Sequence, residues 1–554
     1  MITVGLYGIP DTTVVSGVPS LTHDHGLTIM KNGRVITTIQ LERYSGIKHD
    51  SGLSSELSRI LTRYVPAGED LRFVSVNSFL GSSIISSDGN FRIEPRATLK
   101  VEEIIQPATC RFFPDGLHER EVSGFIMCHE FAHLASVLPF IGSFQPNTLL
   151  VHIDGGASDS SSSVWFFDGK EVHWLDHSWN DLKTVVNNFS VNPLVRAILN
   201  QSPQDHLAMP GKLMGYSSYG CASEAIRSWL IENNWFLDFH GGESELIEIV
   251  NRHMNLSLQH LDPRHAVCMD IAATIQKEFE DRVIEFIRFW AEQTGAEYLC
   301  YSGGAALNIL TNTKLERQRL FNQIVIPPCT SDCGLSLGAA AWVEYIDYGA
   351  VAITSPFLNR FDLPALAKKR LFDIGEIAEF LQNGNVLGLY QGAGEIGPRA
   401  LGHRSIIARA DDIPLRIRVS ETIKKREWYR PVAPIVLEEI AREVFVEDVG
   451  ESNLPKYMLG AYTVRKECEQ FFSGVIHADR TVRAQAITSG DSENRLLFEL
   501  LSVMRERYGT MGLINTSLNE KGRPIVHYPE DAYRISKEIG LDGVIIDDMF
   551  QRFN

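Results

Sequence analysis

Two histidines four residues apart, His129 and His133, stand in the segment CHEFAHLAS. On a helix, positions i and i+4 share one face, so both imidazoles can grip a single metal ion. The segment also satisfies H-E-x-x-H, in which Glu130 would be the general base of a zinc protease. The competing structural reading is a pair of half-buried histidines at a helix start. Two aspartates widen the constellation. Asp154 closes the apolar run NTLLVHIDGG, and Asp332 precedes the Gly/Ala-rich helix start in SDCGLSLGAA. A carboxylate at the end of a buried strand is costly unless it is paired or bound to a cation. Two imidazoles and two carboxylates make a mixed nitrogen and oxygen site suited to iron, manganese or zinc.

These residues need elements to hold them. ITVGLYGI reads as a strand, followed by a hairpin with Lys31-Asn32-Gly33-Arg34 at its tip. The pattern returns in NTLLVHIDGG and the hairpin tipped by Asp168-Gly169, which points to a duplicated α/β architecture. A third strand, in GAEYLCYSGGAALN, feeds a turn and a helix, and residues 268–294 carry apolar side chains at helical spacing. Three glycine segments allow close approach of backbone to phosphate or adenosine: Gly155-Gly156, Gly211-Lys212 and Gly303-Gly304 with Asn308 beyond it. With the hairpins and strand-end aspartates they indicate an actin/sugar-kinase ATPase arrangement. The protease reading explains neither the hairpins nor the glycine loops. Around residues 350–375 the texture changes, which places a boundary near 365 between parts 1–365 and 366–554.

The second part is locally basic. Arg399, Arg404, Arg409, Arg416, Arg418, Lys424, Lys425, Arg426 and Arg430 follow closely, with Arg483 and Arg523 downstream. In a chain of net charge −17 such a concentration marks either a solvated face or a pocket for a phosphate-bearing anion. The acidic total argues against nucleic-acid binding. Eight cysteines in 554 residues are too few for a disulfide scaffold and read as reduced thiols. With no apolar span or signal-like N-terminus, the expectation is a cytoplasmic protein without a membrane partner.

The ordered set CHEFAHLAS, VHIDGG, GKLMGYSSYG, YSGGAALN, SDCGLSLGAA, GPRALGHRSI, KKREWYRPVAP and NTSLN resembles the O-carbamoyltransferases of the NodU/CmcH family, over nearly the whole chain. The resemblance implies an N-terminal actin-like domain similar to the tRNA threonylcarbamoyl transferase and a C-terminal YrdC-like domain. It puts a metal on His129, His133, Asp154 and Asp332, with Fe2+ expected first and Mn2+ or Zn2+ as alternatives. ATP with Mg2+ and carbamoyl phosphate would meet Arg399, Arg404, Lys424, Arg426, Arg430, Arg483, Asn515, Ser517 and Asn519. The implied chemistry is formation of carbamoyl adenylate, then transfer to a hydroxyl of a small natural product, with an aminoglycoside suiting the acidic surface. His23 would be the base and Lys48 would help to hold the adenylate. A homodimer fits the same family. The alternatives are a tRNA-threonylcarbamoylation type of enzyme and an actin-fold small-molecule kinase. Two positions depart from the family pattern: Arg480 stands where glycine is usual, and Glu130 where a histidine is common.

Overall fold

The computed structural model describes residues 1–8, 22–65, 68–77, 84–97, 99–113, 118–156, 159–364, 370–449 and 452–553, with the side chains of 203–205 left aside. The boundary expected near 365 falls at the edge of 365–369, outside the described residues, as does Ile9 at the end of the first expected strand.

Three sheets organise the chain. The first contains β1 (Ile2–Tyr7), β2 (Gly26–Lys31), β3 (Arg34–Gln40), β4 (Leu71–Val76), β5 (Ile84–Ile85), β6 (Phe91–Pro95), β7 (Ile105–Phe112) and β8 (Arg120–Met127), in the order 3-2-1-4-8-7-6-5. The second contains β9 (Thr148–Ile153), β10 (Ser162–Phe167), β11 (Val172–Ser178), β12 (Tyr298–Ser302) and β13 (Gln323–Val325), in the order 11-10-9-12-13. Both repeat one plan. An opening strand carries an antiparallel hairpin on one side, and two further strands run parallel to it on the other. The hairpins expected from the sequence thus belong to one strand plan that occurs twice, in the same order and sense.

The local chemistry explains the hairpins. Asn32 and Gly33 take φ of 52° and 71°, the left-handed pair that a two-residue turn between Lys31 and Arg34 requires. The apolar opening strands are buried on both faces, as parallel strands covered by helices must be. The helix Ala266–Thr294 matches the expected periodic stretch.

Two helices lie between the repeated sheets. His129–Ala135 follows β8, and Leu335–Tyr348 follows β13 through the short turn Asp332–Gly334. They cross at Gly338, where a Cβ would stand 1.8 Å from the carbonyl oxygen of Ala132. Only glycine lets the backbones approach so closely, and that approach sets His129 and His133 against Asp332.

The third sheet is mixed. Its strands are β14 (Leu387–Tyr390), β15 (Arg404–Arg409), β16 (Ala433–Leu437), β19 (Gln485–Ile487), β20 (Leu513–Ser517), β21 (Gly543–Ile546) and β22 (Met549–Arg552), in the order 19-16-20-15-14-21-22. A small pair, β17 (Tyr462–Thr463) and β18 (Thr481–Val482), lies apart from it. One hydrophobic core belongs to this part alone, while another joins it to the second sheet through Tyr429, Leu454, Tyr457 and Leu459. All eight cysteines are free thiols, six of them buried. Among the described residues no helix is long and apolar enough to cross a membrane.

Candidate metal centre and anion pocket

The carboxyl ends of β1, β8 and β9 and the turn after β13 converge between the two repeated sheets, and each delivers one part of a polar cluster. Helix His129–Ala135 begins just beyond β8, so His129 and His133 point into the junction with their Nε2 atoms 3.2 Å apart. Asp154 enters from the end of β9 with Oδ2 3.7 Å from His133 Nε2, and Asp332 enters with Oδ1 3.5 Å from the same nitrogen. Asp332 Oδ1 also lies 3.9 Å from His129 Nε2. Tyr7, at the end of β1, donates its hydroxyl to Asp332 Oδ2 at 2.7 Å.

The donor set fits a divalent ion. His133 Nδ1–H donates to the Thr330 carbonyl at 3.1 Å, which fixes the tautomer and turns the lone pair of Nε2 toward the carboxylates. Donor atoms of His129, His133 and Asp332 all lie within 4.8 Å of one another. Burial would lower the pKa of His133, but Asp332 and Asp154 outweigh it and raise it. Burial dominates at His129 and, with His133 adding to it against Asp332, pulls it down to about 4. Two buried imidazoles facing one buried and one half-buried carboxylate form a mixed nitrogen and oxygen set of the kind that iron, manganese or zinc takes.

Glu130 is turned away from this cluster. Its Oε1 accepts the backbone N–H groups of Asp159 and Ser160 at 2.7 and 3.1 Å, and Oε2 accepts the Cys128 thiol. The carboxylate that H-E-x-x-H would use as a protease base thus ties down the loop after β9, and the protease alternative loses its base.

His23 stands beside the cluster, with Nε2 3.9 Å from Asp332 Oδ2. Its Nδ1–H donates to Asp24 Oδ2 at 2.9 Å, and His49 Nδ1–H donates to Asp24 Oδ1 at 2.9 Å. Burial works against a charged His23, yet Asp332 and Asp24 prevail and raise its pKa to about 10. Asp24 orients His23 as a carboxylate orients a catalytic imidazole. Tyr7, Asp24 and His49 were not singled out from sequence, although HDHG and KHD show two of them beside His23 and Lys48.

The glycine segments have unequal roles. Gly303 has φ of 103°, and a Cβ there would stand 2.2 Å from the Ile153 carbonyl oxygen. The next amide, Gly304 N–H, donates to Asp154 Oδ2, and Gly155 N–H donates to Oδ1, so both turns hold the aspartate. Gly156 lies in the same turn, while Gly211 has open space where a Cβ would be. Lys212 is engaged: its Nζ lies 3.0 Å from Glu427 Oε1 and donates to Gln201. Asn308 caps the helix Ile309–Arg317 and exchanges amide hydrogen bonds with Gln276. Gln276 in turn lines a cavity of ≈ 300 Å³, with Glu280 and Thr313 beside it and Asp479 and Thr481 opposite.

The second cluster lies in the C-terminal part. A π-helical turn, Arg418–Ile423, ends at Lys424, which is buried and donates through Nζ to the carbonyls of Ser517 and Asn519, both at 2.7 Å, and to Asn519 Oδ1. Burial, then the charges of Arg426, Arg430 and Lys48, hold its pKa well below the lysine range. Burial and mutual repulsion likewise lower Arg399 to about 10 and Arg426 to about 9. Arg483 is lowered by burial and by Arg399, Arg426 and Arg430. The side-chain Nε atoms of Arg399 and Arg483 are buried without hydrogen-bond partners among the described residues. Like charges forced together with unused donors form a pocket that an anion would relieve.

Two expected members sit differently. Arg404 is buried, stacks 3.5 Å over the Tyr390 ring, and donates to the carbonyls of Gln391, Gly392 and His403. These bonds occupy its guanidinium, so it braces the loop of residues 391–403 and is not among the guanidinium groups that repel one another around Arg430. Asn515 donates to Gln485 and to the Ala400 carbonyl, which holds the backbone beside Arg399. Arg480 has φ of 65° and pairs with Glu469, so its side chain serves that ion pair.

Arg430 contributes repulsion to all three neighbouring guanidinium groups. Arg430→Gln is therefore expected to leave the ligand-free unfolding temperature unchanged or raise it, while weakening pyrophosphate binding by about 10- to 100-fold, since one charge-assisted hydrogen bond contributes about 1.5–3 kcal/mol. Thermal unfolding with and without pyrophosphate reads both effects.

Comparison with known proteins identifies the family. Residues 118–341 match the family described as Carbamoyltransferase N-terminus, and residues 378–552 match Carbamoyltransferase C-terminus. Nodulation protein U of Azorhizobium caulinodans is 31% identical over 562 residues, covering 91% of this chain and 93% of its own. Nodulation protein NolNO of Sinorhizobium fredii is 27% identical over 560 residues, covering 95% of this chain and 78% of its own. Among solved structures, full-length HypF in its phosphate- and nucleotide-bound form shares 18% identity with a TM-score of 0.24, covering 37% of this chain and 25% of its own. That likeness is too remote to bear on the fold or the site.

Proposed function

The chain belongs to the carbamoyltransferase family and is a carbamoyltransferase, and from that premise we propose a two-site, ATP-dependent O-carbamoylation. In the anion pocket one water cleaves carbamoyl phosphate to carbamate and phosphate, and the carbamate oxygen attacks the α-phosphorus of ATP with Mg2+, giving carbamoyl adenylate and releasing pyrophosphate. The adenylate then passes to the His129, His133, Asp154 and Asp332 cluster, where a hydroxyl of a small natural product attacks the carbamoyl carbon and AMP leaves. We assign residues 1–365 to an actin-like domain, on the repeated strand order, and 366–554 to a YrdC-like domain. The cavity lined by Gln276, which Asn308 holds by amide hydrogen bonds, is a suitable seat for the nucleoside.

One observation carries the two-site reading. Lys48 and His49 are neighbours on a single turn, yet the charge of Lys48 acts on Lys424 in the anion pocket while His49 holds Asp24 beside the metal cluster. The same segment touches the C-terminal part twice more, through Arg43 to the Gly397 carbonyl at 3.1 Å and Arg523 to the Gly46 carbonyl at 3.4 Å. A short path between the sites protects an adenylate from water.

The residues divide the work accordingly. Arg399, Arg426, Arg430 and Arg483 neutralise phosphate oxygens, and Lys424 with Ser517 and Asn519 holds the reacting group in the first site. In the second, His129, His133, Asp154 and Asp332 would hold a divalent ion, Fe2+ foremost, which when bound polarises a carbonyl. Asp332 holds His23 protonated, so the imidazole can act as base at Nε2 only with a cation on the cluster to offset that carboxylate; in that form it takes the proton of the acceptor hydroxyl while Asp24 keeps its Nδ1–H oriented.

The test is incubation with α-labelled ATP, Mg2+ and carbamoyl phosphate without acceptor. AMP and pyrophosphate, formed only when carbamoyl phosphate is present, are expected. ADP would overturn the adenylation step in favour of a kinase.

A further inference from the structure

We propose that His152 is a further protein ligand of the metal centre, giving it a third imidazole; this rests on the reading of His129, His133, Asp154 and Asp332 as metal ligands. On a strand, residues two apart share a face. His152 and Asp154 are such a pair at the end of β9, so the residue that carries the ligand aspartate into the junction carries an imidazole with it.

The imidazole has no other occupation. His152 is fully buried, and among the described residues neither ring nitrogen has a hydrogen-bond partner. Its strand neighbours by register are Ser163 on β10 and Ser302 on β12. Both hydroxyls are spent elsewhere, Ser163 on Ser160 and Ser302 on Thr330. Buried polar groups are nearly always satisfied, and an apolar side chain would fill the same space without stranding two nitrogens.

What lies against His152 is the metal cluster. Its ring stacks on His133 with centroids 5.1 Å apart and planes inclined by 25°. One donor atom each from His133, His152 and Asp154 lie within 4.8 Å of one another, as do those of His129, His133 and Asp332. Bonds of about 2.0–2.1 Å put two donors of one ion at most about 4 Å apart, so a small rotation of the side chains closes either set. His133 is common to both sets, and Asp154 and Asp332 reach it from either side. An ion held on His133 therefore has His152 within reach as well as His129.

The test uses Co2+ as the probe on metal-free full-length protein, read by equilibrium titration and visible absorption. One Co2+ per wild-type chain is expected, with His152→Gln weakening binding at least about tenfold and altering the visible bands. Unfolding temperatures of the metal-free proteins within a few degrees of each other exclude a folding defect, and His152→Asn carries the same comparison should His152→Gln not fold. Wild-type affinity and spectrum in both variants, with binding lost in His133→Ala, would overturn the His152 assignment alone. A wild-type chain that binds no Co2+ would overturn the metal-site reading and His152 with it.

Discussion

Lys424→Met is expected to lower carbamoyl-phosphate-dependent release of pyrophosphate from ATP by more than about a hundredfold, because it removes a cation from a water-poor pocket where charge stabilisation is strongest. The lysine is held by carbonyl oxygens of Ser517 and Asn519 and is pushed toward neutrality by burial and by Arg426, Arg430 and Lys48. An anion in the pocket favours the charged lysine, so relief of the repulsion from Arg426, Arg430 and Lys48 adds to phosphate binding. Methionine keeps the volume and leaves the two carbonyls unpaired, at a cost of about 1–3 kcal/mol each. Thermal unfolding of the variant separates this loss from the catalytic one. Normal pyrophosphate release from folded Lys424→Met would remove the pocket from the first half-reaction.

His133→Ala should do the reverse, keeping pyrophosphate release within a few-fold of wild type and lowering carbamoyl transfer to acceptor by more than about a thousandfold. His133 is the residue that Asp154 and Asp332 both approach, and its tautomer is set by Thr330. Alanine leaves two carboxylates facing each other without their shared partner, so the centre loses both its nitrogen donor and the group that balances its charge. Metal analysis should show less than the wild-type content, and mass analysis of the acceptor should show no added carbamoyl group. Transfer at the wild-type rate would remove the cluster from the second half-reaction.

Part of this architecture was legible in the residues. Asn-Gly between two apolar runs needs a left-handed turn, and strand alternation needs one buried face, so both hairpins and the duplication could be read from local pattern. The i, i+4 histidines and the strand-end aspartates were legible for the same reason: helix and strand periods are properties of the local chain. The basic run in residues 399–430 showed that cations were concentrated there, though not which of them share a pocket.

Tertiary structure decided the rest. Arg404 and Arg430 are alike in sequence, yet one is buried under carbonyl oxygens and the other lies among guanidinium groups. Glu130 lies in the motif but serves a loop, because the helix turns it toward the amides of Asp159 and Ser160. Asp24, His49 and Tyr7 gained meaning only when β1, the loop before β2 and the turn at residues 46–50 met beside Asp332. Residue type, period and turn chemistry are written in short stretches of chain, and they determined the elements and the kinds of donor available. Which donors meet depends on contacts between residues hundreds of positions apart, such as Gly338 against Ala132, and only close packing of the folded chain selects those.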